Sequence, residues 1–244
     1  SSYLSNYLDE LHYKALKGKS ALLLGILQPS NAEETYFYNA MISLGAAEGA
    51  HIKNHLVPFG EYIPKPFETI NRWFNLPEPN VITEASQDAL IKVHSHYIAS
   101  LICYEIAYTA LLKKQVPKAE WIVSISDTGW FGKSLASYQQ LQMSQVLSLL
   151  SGRYHVVVNN GSLSSIIDAN GTIVTSLPAF SSGILKGTVY PVTGQTPWVM
   201  LGDAPVLIFC SIFILFALLS HFFGWSSLVA IAGKLKRGYP KRFL

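Results

Sequence analysis

The chain has 244 residues, of which 50% are hydrophobic and only 14% are charged. This composition excludes a disordered chain, and the absence of heptads and of a glycine repeat excludes coiled-coil and collagen-like proteins. The formal net charge is +3, but five basic residues lie in the last 11 positions, and the preceding part has 13 basic and 15 acidic residues. A nucleic-acid-binding protein spreads its positive charge over a folded face, so we expect no nucleic-acid partner.

Hydrophobic periodicity predicts an opening amphipathic helix that ends at Lys17–Lys19, followed by short apolar strands with helices between them. The predicted strands are Ser20–Ile26, Tyr38–Leu44, Ala50–His55, Leu90–Val93, Tyr97–Ile102, Trp121–Ser126, His155–Asn159, Ser164–Ile167, Thr172–Thr175 and Ile184–Val189. The predicted helices are Ala107–Gln115 and Tyr138–Leu150. Strands interspersed with helices indicate a layered α/β domain, to which we assign residues 1–198.

The C-terminal part is uncharged from Ala204 to Gly233 and is followed by a basic cluster. A helix needs roughly 20 apolar residues to cross a bilayer core, which predicts a transmembrane helix over residues 199–226. The positive-inside rule then places the basic tail, residues 227–244, in the cytoplasm and the preceding domain on the opposite side. The alternative is a buried core helix of a soluble protein. Cys210 lies inside this segment and is interpreted as a small apolar residue.

Cys103 is the first candidate for chemistry, because it follows an apolar strand and precedes a predicted helix. A strand-to-helix turn exposes a side chain and directs backbone N–H groups at a reacting oxygen. The start of a helix also lowers the pKa of a thiol, which favours the reactive thiolate. The alternative is a buried small residue, and the two cysteines of the chain are too few for a disulfide framework or a structural zinc site.

Two further segments, Lys53–Glu61 and Ser126–Gly132, concentrate polar residues beside apolar ones, although each on its own is more typical of a surface turn. A thiol, a lysine and a carboxylate together suit acyl transfer: the carboxylate accepts the thiol proton, the thiolate attacks a carbonyl, and the ammonium stabilises the oxyanion. The resulting thioester passes its acyl group to water or to an amine. The sequence has no glycine-rich phosphate loop, HExxH or CxxC motif, so we expect no nucleotide cofactor and no metal.

These residues give the chain a resemblance to the nitrilase (carbon–nitrogen hydrolase) superfamily and, within it, to the apolipoprotein N-acyltransferases of Gram-negative bacteria. The matching stretches are KNHLVPFGEYIP (Lys53–Pro64), ICYEI (Ile102–Ile106), SDTGWFGKS (Ser126–Ser134), QQLQMS (Gln139–Ser144) and VVNNG (Val157–Gly161). The resemblance implies a nitrilase-like α-β-β-α sandwich followed by one transmembrane helix. It also implies a bacterial inner-membrane protein with a periplasmic catalytic domain.

The resemblance implies a role for each matching residue. Cys103 matches the acylated nucleophile, Lys53 the catalytic lysine and Glu61 a supporting glutamate. Tyr104 and Glu105 match residues that shape the substrate site beside the nucleophile. The implied reaction transfers a phospholipid acyl chain to the cysteine and then to the N-terminal amine of a diacylglyceryl-cysteine apolipoprotein.

Two features of the family are absent from these 244 residues: a Trp-Pro-Glu motif that carries the general-base glutamate, and an N-terminal membrane region of several helices. Glu10 lies in the opening helix and does not replace the base. We therefore expect the chain to be the C-terminal portion of a longer or split protein, to need the N-terminal membrane segment as a partner, and to be inactive alone.

Aromatic residues are frequent in two segments beside the candidate site residues. We interpret these segments as loops that contact lipid, because tryptophan and tyrosine favour the membrane interface. The alternative is ordinary core packing. Trp130 and Phe131 are assigned to the substrate site, and Pro58–Pro79 contributes Phe59, Tyr62, Phe67, Trp73, Phe74 and Leu76. Two other functions stay open at this point: an anchored nitrilase-type amidase with the same triad, and an inactive membrane scaffold.

Overall fold

The structure is a computed structural model that describes residues 2–30, 35–67, 73, 79–84 and 90–237. The chain consists of two compact units, residues 1–199 and residues 200–244. The first unit contains two β-sheets. Their strands are β1 Ala21–Pro29, β2 Phe37–Gly45, β3 Ala47–Glu48, β4 Ala50–Ile52, β5 Val81–Ile82, β6 Leu90–Val93, β7 His96–Ile102, β8 Trp121–Asp127, β9 His155–Asn160, β10 Ser164–Ile167 and β11 Ile173–Leu177.

The helices of the chain are α1 Ser2–Lys17, α2 Thr109–Gln115, α3 Ala136–Ser151, α4 Pro197–Leu201 and α5 Ala204–Arg237. Short 3-10 helices lie at Lys65–Phe67, Cys103–Ala107 and Gly129–Phe131. Helix α3 ends at Gly152, which has the left-handed conformation that allows the chain to leave a helix (φ 65°, ψ 36°).

One sheet has the order β1-β2-β4, with β5 beside β2, and the other has the order β11-β10-β9-β8-β7-β6-β3. Strands β7, β8 and β9 are parallel, so their carboxyl ends meet at one edge of the larger sheet. In the register of β7 and β8, Ile102 lies opposite Ile125, which makes Cys103 and Ser126 the next residues on neighbouring strands. This edge of the larger sheet is where the candidate site is built.

Two apolar clusters hold the layers together. Between the sheets, Met41 of β2 packs with residues of β6, β7 and β8, including Ile91, Ile98 and Ile102. A second cluster lies between the larger sheet and the helices α2 and α3, through Leu101, Leu112 and Leu147. Helix α1 contacts β1 and β2 of the smaller sheet. The order helix, sheet, sheet, helix is the predicted nitrilase-like α-β-β-α sandwich.

Most of the predicted elements are confirmed within one to three residues, but three differ. Residues 184–189, predicted as a last strand, have no regular structure, and the side chain of Ile184 is 84% exposed because no neighbouring strand pairs with it. The predicted helix Ala107–Gln115 is split into a 3-10 helix that begins at Cys103 and an α-helix that begins at Thr109. The predicted strand Ala50–His55 ends at Ile52, so Lys53 begins the following loop.

The second unit contains the long apolar helix. Helix α5 begins at Ala204 and continues to Arg237, so it starts later and ends later than the predicted span of 199–226. Residues 204–221 are long and apolar enough to cross a membrane, and this segment is not buried within the chain. The alternative of a buried core helix does not fit this exposure. Part of the predicted tail 227–244 is therefore helical, and residues 238–244 lie outside the described part of the chain.

Candidate active site

Cys103 begins the 3-10 helix at the carboxyl end of β7, and its backbone has a left-handed conformation with φ of 51°. A residue other than glycine is uncommon in this region and has a steric cost, which the surrounding structure must offset. Such a turn between a strand and a helix presents the side chain at the sheet edge. The thiol is neither disulfide-bonded nor fully buried. The position therefore fits the predicted nucleophile.

Burial raises the pKa of the Cys103 thiol above its ordinary value, and the nearby Glu61 carboxylate raises it further. The Lys53 ammonium, the Tyr104 backbone N–H and the Ser126 hydroxyl oppose this shift by stabilising the thiolate. The backbone N–H at the helix start lowers the thiol pKa, as expected, but desolvation outweighs all the donors and the net pKa is raised. The thiol therefore needs a proton acceptor to become nucleophilic at neutral pH.

Lys53 and Glu61 form an ion pair, with Lys53 Nζ at 2.8 Å from Oε1 and 2.7 Å from Oε2 of Glu61. Only 1% of Lys53 is exposed. The Glu61 carboxylate also accepts hydrogen bonds from the Asn39 side chain at 3.0 Å and from the Val57 backbone N–H at 2.8 Å. Glu61 therefore holds the Lys53 ammonium in place, and each of its carboxylate oxygens already accepts hydrogen bonds within the site.

Glu105 lies two residues after the nucleophile, but its side chain is fully buried. Its carboxylate accepts hydrogen bonds from His51 Nε2 at 2.7 Å, from the Ile102 backbone at 2.8 Å and from the Asn54 backbone at 2.6 Å. Burial alone raises its pKa, but the hydrogen bond and the charge of His51 and the backbone donors bring the pKa below its usual value. The predicted contact with substrate is thus corrected: Glu105 joins the loop of Lys53 to the turn of Cys103.

Tyr104 lies at the surface beside the nucleophile, in agreement with its predicted place in the substrate site. Its ring packs edge-on against Tyr108 at 5.2 Å, and Tyr108 stacks on His55 at 3.9 Å. The hydrogen bond with the Tyr104 hydroxyl raises the pKa of Tyr108. The rings of Tyr104, Tyr108 and His55 thus pack in series beside the Cys103 turn.

The loop after β8 carries Trp130 and Phe131 in a 3-10 helix, and Phe131 is exposed. Thr128, at the start of this helix, donates from its hydroxyl to Asn159 Oδ1 at 2.9 Å. Gln140 of α3 connects to the same asparagine and to Ser126, with Asn159 Nδ2 at 3.2 Å and Ser126 Oγ at 2.6 Å. The loop is thus connected by side chains to the residue beside Cys103.

Aromatic side chains of the long loop are exposed, as expected for residues that contact lipid. Trp73 is 83% exposed, and Phe59, Tyr62 and Phe67 are exposed to a lesser extent. Phe74 and Leu76, which belong to the same prediction, lie outside the described residues. For the described members of the set, ordinary core packing is excluded.

Sequence reasoning missed Asn39 and His51, both of which act on predicted site residues. His51 lies two positions before Lys53, the spacing of residues on one face of an extended segment, and this was the available signal. Asn39 carries no such signal, since its contact with Glu61 joins residues 22 positions apart. Within the described ranges, no group of three or more His, Cys, Asp or Glu side chains could hold a metal ion.

The architecture and this site can be compared with known proteins. A family model described as carbon-nitrogen hydrolase matches residues 2–197. The chain belongs to the carbon–nitrogen hydrolase family. Among solved structures, a carbon-nitrogen hydrolase from Helicobacter pylori has a TM-score of 0.58 at 11% sequence identity, and the match covers 74% of this chain and 66% of that chain. At this identity the match shows the same fold.

Curated relatives narrow the comparison within the carbon–nitrogen hydrolases. The chain is 32% identical to an apolipoprotein N-acyltransferase of Pseudomonas paraeruginosa and 31% identical to one of Pseudomonas putida. The matches cover 89% and 88% of this chain, respectively, but 43% of each relative. The chain therefore spans less than half the length of the curated relatives it matches.

Proposed function

We propose that this carbon–nitrogen hydrolase family member is an N-acyltransferase, which moves a fatty acyl chain from a phospholipid to the N-terminal amine of a diacylglyceryl-cysteine apolipoprotein. The observation that carries the proposal is the conjunction of Cys103, in its strained turn, with the buried Lys53–Glu61 pair. The similarity to apolipoprotein N-acyltransferases supports the choice of an amine over water as the acceptor.

In the first half of the proposed reaction, the Cys103 thiol gives its proton to a base and the thiolate attacks the ester carbonyl carbon of the phospholipid. The Lys53 ammonium stabilises the oxyanion that forms. The tetrahedral adduct collapses, the ester C–O bond breaks, and the lysophospholipid leaves as an alcohol that takes up the proton. The enzyme retains the acyl group as a thioester on Cys103.

In the second half, the α-amine of the apolipoprotein attacks the thioester carbonyl carbon. The C–S bond breaks, the amide forms, and the sulfur leaves as the thiolate. The amine loses one proton, which restores the thiol. The oxyanion of this step forms at the same carbonyl position, so Lys53 stabilises both tetrahedral adducts.

The proton acceptor is the part of the site that the described residues leave unassigned. Glu61 and Glu105 are the carboxylates of the two motifs that carry Lys53 and Cys103. Both carboxylates already accept hydrogen bonds from other groups of the protein. From the resemblance to the apolipoprotein N-acyltransferases, we propose that a glutamate outside these 244 residues acts as the base and reaches the site with an N-terminal membrane segment. The 244-residue chain alone is then expected to form the thioester very slowly.

A membrane location follows from the proposed substrates. Helix α5 supplies a segment long and apolar enough to anchor the chain, and exposed aromatic residues such as Trp73 and Phe131 suit contact with the lipid interface. We propose the bacterial inner membrane, with the catalytic unit in the periplasm and the basic C-terminal tail in the cytoplasm. This orientation rests on the Lys and Arg residues that follow the uncharged segment from Ala204 to Gly233.

The deciding experiment incubates the protein with phospholipid labelled in its acyl chain. The full chain is reconstituted in vesicles, with and without the N-terminal part of the Pseudomonas paraeruginosa relative. We expect a hydroxylamine-sensitive label on Cys103 when that part is present, and transfer of the label after addition of a diacylglyceryl-cysteine peptide. The Cys103→Ser variant provides the control without a thiol.

Two outcomes would refute the acyltransferase. Release of labelled fatty acid without transfer to the peptide would identify an anchored hydrolase of the amidase type, which shares the same residues. Absence of both label and release, with the N-terminal part present and the protein folded, would favour a membrane scaffold without catalysis.

A further inference from the structure

Cys103 and Ser126 occupy equivalent places at the edge of the larger sheet. Each residue comes directly after the last paired residues of the parallel strands β7 and β8, Ile102 and Ile125. Neighbouring parallel strands lie about 4.8 Å apart, a separation that two inward-turned side chains can bridge with a hydrogen bond. Ser126 is half-buried, so water competes only partly for its hydroxyl.

Gln140 determines what the Ser126 hydroxyl can do. Its Nε2 donates to Ser126 Oγ at 2.6 Å, and its Oε1 accepts from Asn159 Nδ2 at 3.2 Å. Asn159 Oδ1 in turn accepts from the Thr128 hydroxyl, which fixes the orientation of the asparagine amide and therefore that of Gln140. Because Ser126 Oγ is used as an acceptor by Gln140, its own proton remains available for donation.

We propose that Ser126 is a further catalytic residue, which donates a hydrogen bond to the Cys103 thiolate, and that Gln140 is a positioning residue that aims this donor. The inference deepens the proposed function, because it concerns the thiolate of that reaction. A hydrogen bond to an anion is stronger than one to a neutral group, so the hydrogen bond from Ser126 favours the thiolate of Cys103 over its thiol. The same bond strengthens as the thioester C–S bond breaks, so it also favours departure of the thiolate in the second half of the reaction.

Such a donor matters because burial raises the pKa of the thiol, and the Ser126 hydroxyl is one of the groups that lower it. The charged groups that act on the thiol from the facing loop are Lys53, which lowers the pKa, and Glu61, which raises it. Glu105, on the element of Cys103 itself, is turned into the interior towards His51. Asp127, next to Ser126, accepts from the Gly129 N–H at 3.1 Å. None of these groups is changed in the test below.

The experiment measures the rate of Cys103 alkylation by iodoacetamide as a function of pH, with the full chain in detergent. A Cys210→Ser background removes the second thiol, and no lipid substrate is required. We expect Ser126→Ala to raise the midpoint of the pH profile by about one unit, equivalent to about tenfold less thiolate at a fixed lower pH. Gln140→Leu is expected to raise the midpoint by a smaller amount.

Two matched variants separate this role from a structural one. Ser126→Thr keeps a hydroxyl and is expected to keep the parent midpoint. Gln139→Leu makes the same change as Gln140→Leu at the neighbouring exposed position and is expected to leave the profile unchanged. If Ser126→Ala does not fold, as judged by thermal unfolding, Gln140→Leu decides.

Unchanged midpoints in Ser126→Ala and Gln140→Leu would overturn the proposal, and so would an equal shift in Gln139→Leu. Because alkylation needs neither a phospholipid nor an apolipoprotein, its result is independent of the acyltransferase assignment. A chain that shows the expected midpoint shifts but transfers no acyl group when the N-terminal part of the Pseudomonas paraeruginosa relative is present would refute the proposed function alone.

Discussion

At the scale of single residues, the Lys53–Glu61 pair decides where the positive charge of the site lies. The ammonium is almost fully buried and contacts both oxygens of Glu61. Glu61→Gln removes the negative charge but keeps the side-chain volume, which leaves a buried lysine without its counter-charge. Breaking a buried pair in this way costs about 3–5 kcal/mol of stability.

We therefore expect Glu61→Gln to lower the thermal unfolding midpoint. With the N-terminal part of the Pseudomonas paraeruginosa relative present, it should also reduce thioester formation on Cys103 at least about tenfold, since the ammonium that stabilises the oxyanion is no longer held in place. The matched control is Glu48→Gln, which makes the same change at an exposed position on β3 and should alter neither quantity. Parent-like acylation in a folded Glu61→Gln variant would show that Lys53 does not depend on this partner.

His155 provides a second residue-scale prediction, which concerns stability. The ring is fully buried on β9, with Nε2 at 2.9 Å from Ser124 Oγ. Burial lowers the pKa of His155 to about 4, against a smaller opposing effect of the Ser144 carbonyl. A histidine in an unfolded chain has a pKa of about 6.5. Between about pH 4 and pH 6.5, the unfolded chain therefore binds a proton at this residue and the folded chain does not.

The folded state should accordingly lose stability as the pH falls below about 6.5, by up to about tenfold in the folding equilibrium per pH unit until about pH 4. The measurement is the thermal midpoint in detergent at pH 7.5 and at pH 5. His155→Asn should reduce the difference between the two midpoints, whereas His94→Asn, at an exposed position, should not. A parent protein with equal midpoints would contradict the buried neutral histidine.

At the scale of elements, the loop after β8 depends on close contact with the loop after β9. Gly161 has φ of 70°, and a Cβ atom there would lie 2.8 Å from Gly129 Cα, in the short helix that carries Trp130 and Phe131. Real Cβ atoms do not approach a backbone atom so closely. Gly161→Ala must therefore displace the Trp130 loop.

With the N-terminal part of the Pseudomonas paraeruginosa relative present, we expect Gly161→Ala to slow thioester formation on Cys103 while it lowers the thermal midpoint no more than Gly194→Ala does. Gly194→Ala is the control: it also has a positive φ, of 93°, but no atom lies within 4 Å of its added Cβ. Both variants bear a backbone cost of about 1–2 kcal/mol, and only the first moves the loop. Equal effects on acylation in the two variants would exclude a specific role for the loop contact.

The elements also show how far a sequence can be interpreted without a structure. Helix α1 is predictable because its apolar residues recur with the period of a helix, and β6 and β10 are predictable because each contains apolar residues in a short segment bounded by turn residues. Residues 184–189 have a similar apolar content but no partner strand, and periodicity does not reveal pairing. The predicted strand fails for this reason.

The residues of the site also differ in whether the local sequence predicts them. Cys103, Lys53 and Glu61 can be recognised because each lies in a distinctive local motif. The buried His51–Glu105 pair joins residues 54 positions apart, and the bond between Gln140 and Asn159 joins residues on a helix and a strand. Contacts of this kind depend on how the sheets and helices pack, so the local sequence does not predict them.

At the scale of the whole molecule, the proposed function assigns catalysis to the first unit and anchoring to the second. The first unit has its own apolar clusters, which include Met41, Leu101 and Leu147. In the second unit, helix α5 exposes apolar side chains from Val206 to Leu219 instead of burying them within the chain. Each unit thus has the surface suited to a different solvent, water for the first and lipid for the second.

The corresponding prediction concerns a chain that ends at Asp203. We expect this shortened chain to stay folded and soluble without detergent, and to keep the rate of Cys103 alkylation of the full chain. It should no longer sediment with vesicles and should lose acylation by phospholipid in vesicles, because the reacting ester lies at the bilayer surface. The measurements are vesicle sedimentation and alkylation of the chain alone, and thioester formation after the N-terminal part of the Pseudomonas paraeruginosa relative is added.

An exchange variant tests whether anchoring alone explains that loss. Replacing residues 204–221 by an unrelated apolar helix of equal length keeps a span of the required length but removes every side chain of the native one. Vesicle binding and acylation should both return if the helix only holds the catalytic unit at the bilayer. Return of binding without acylation would instead show that side chains of α5 contribute to the handling of the lipid substrate.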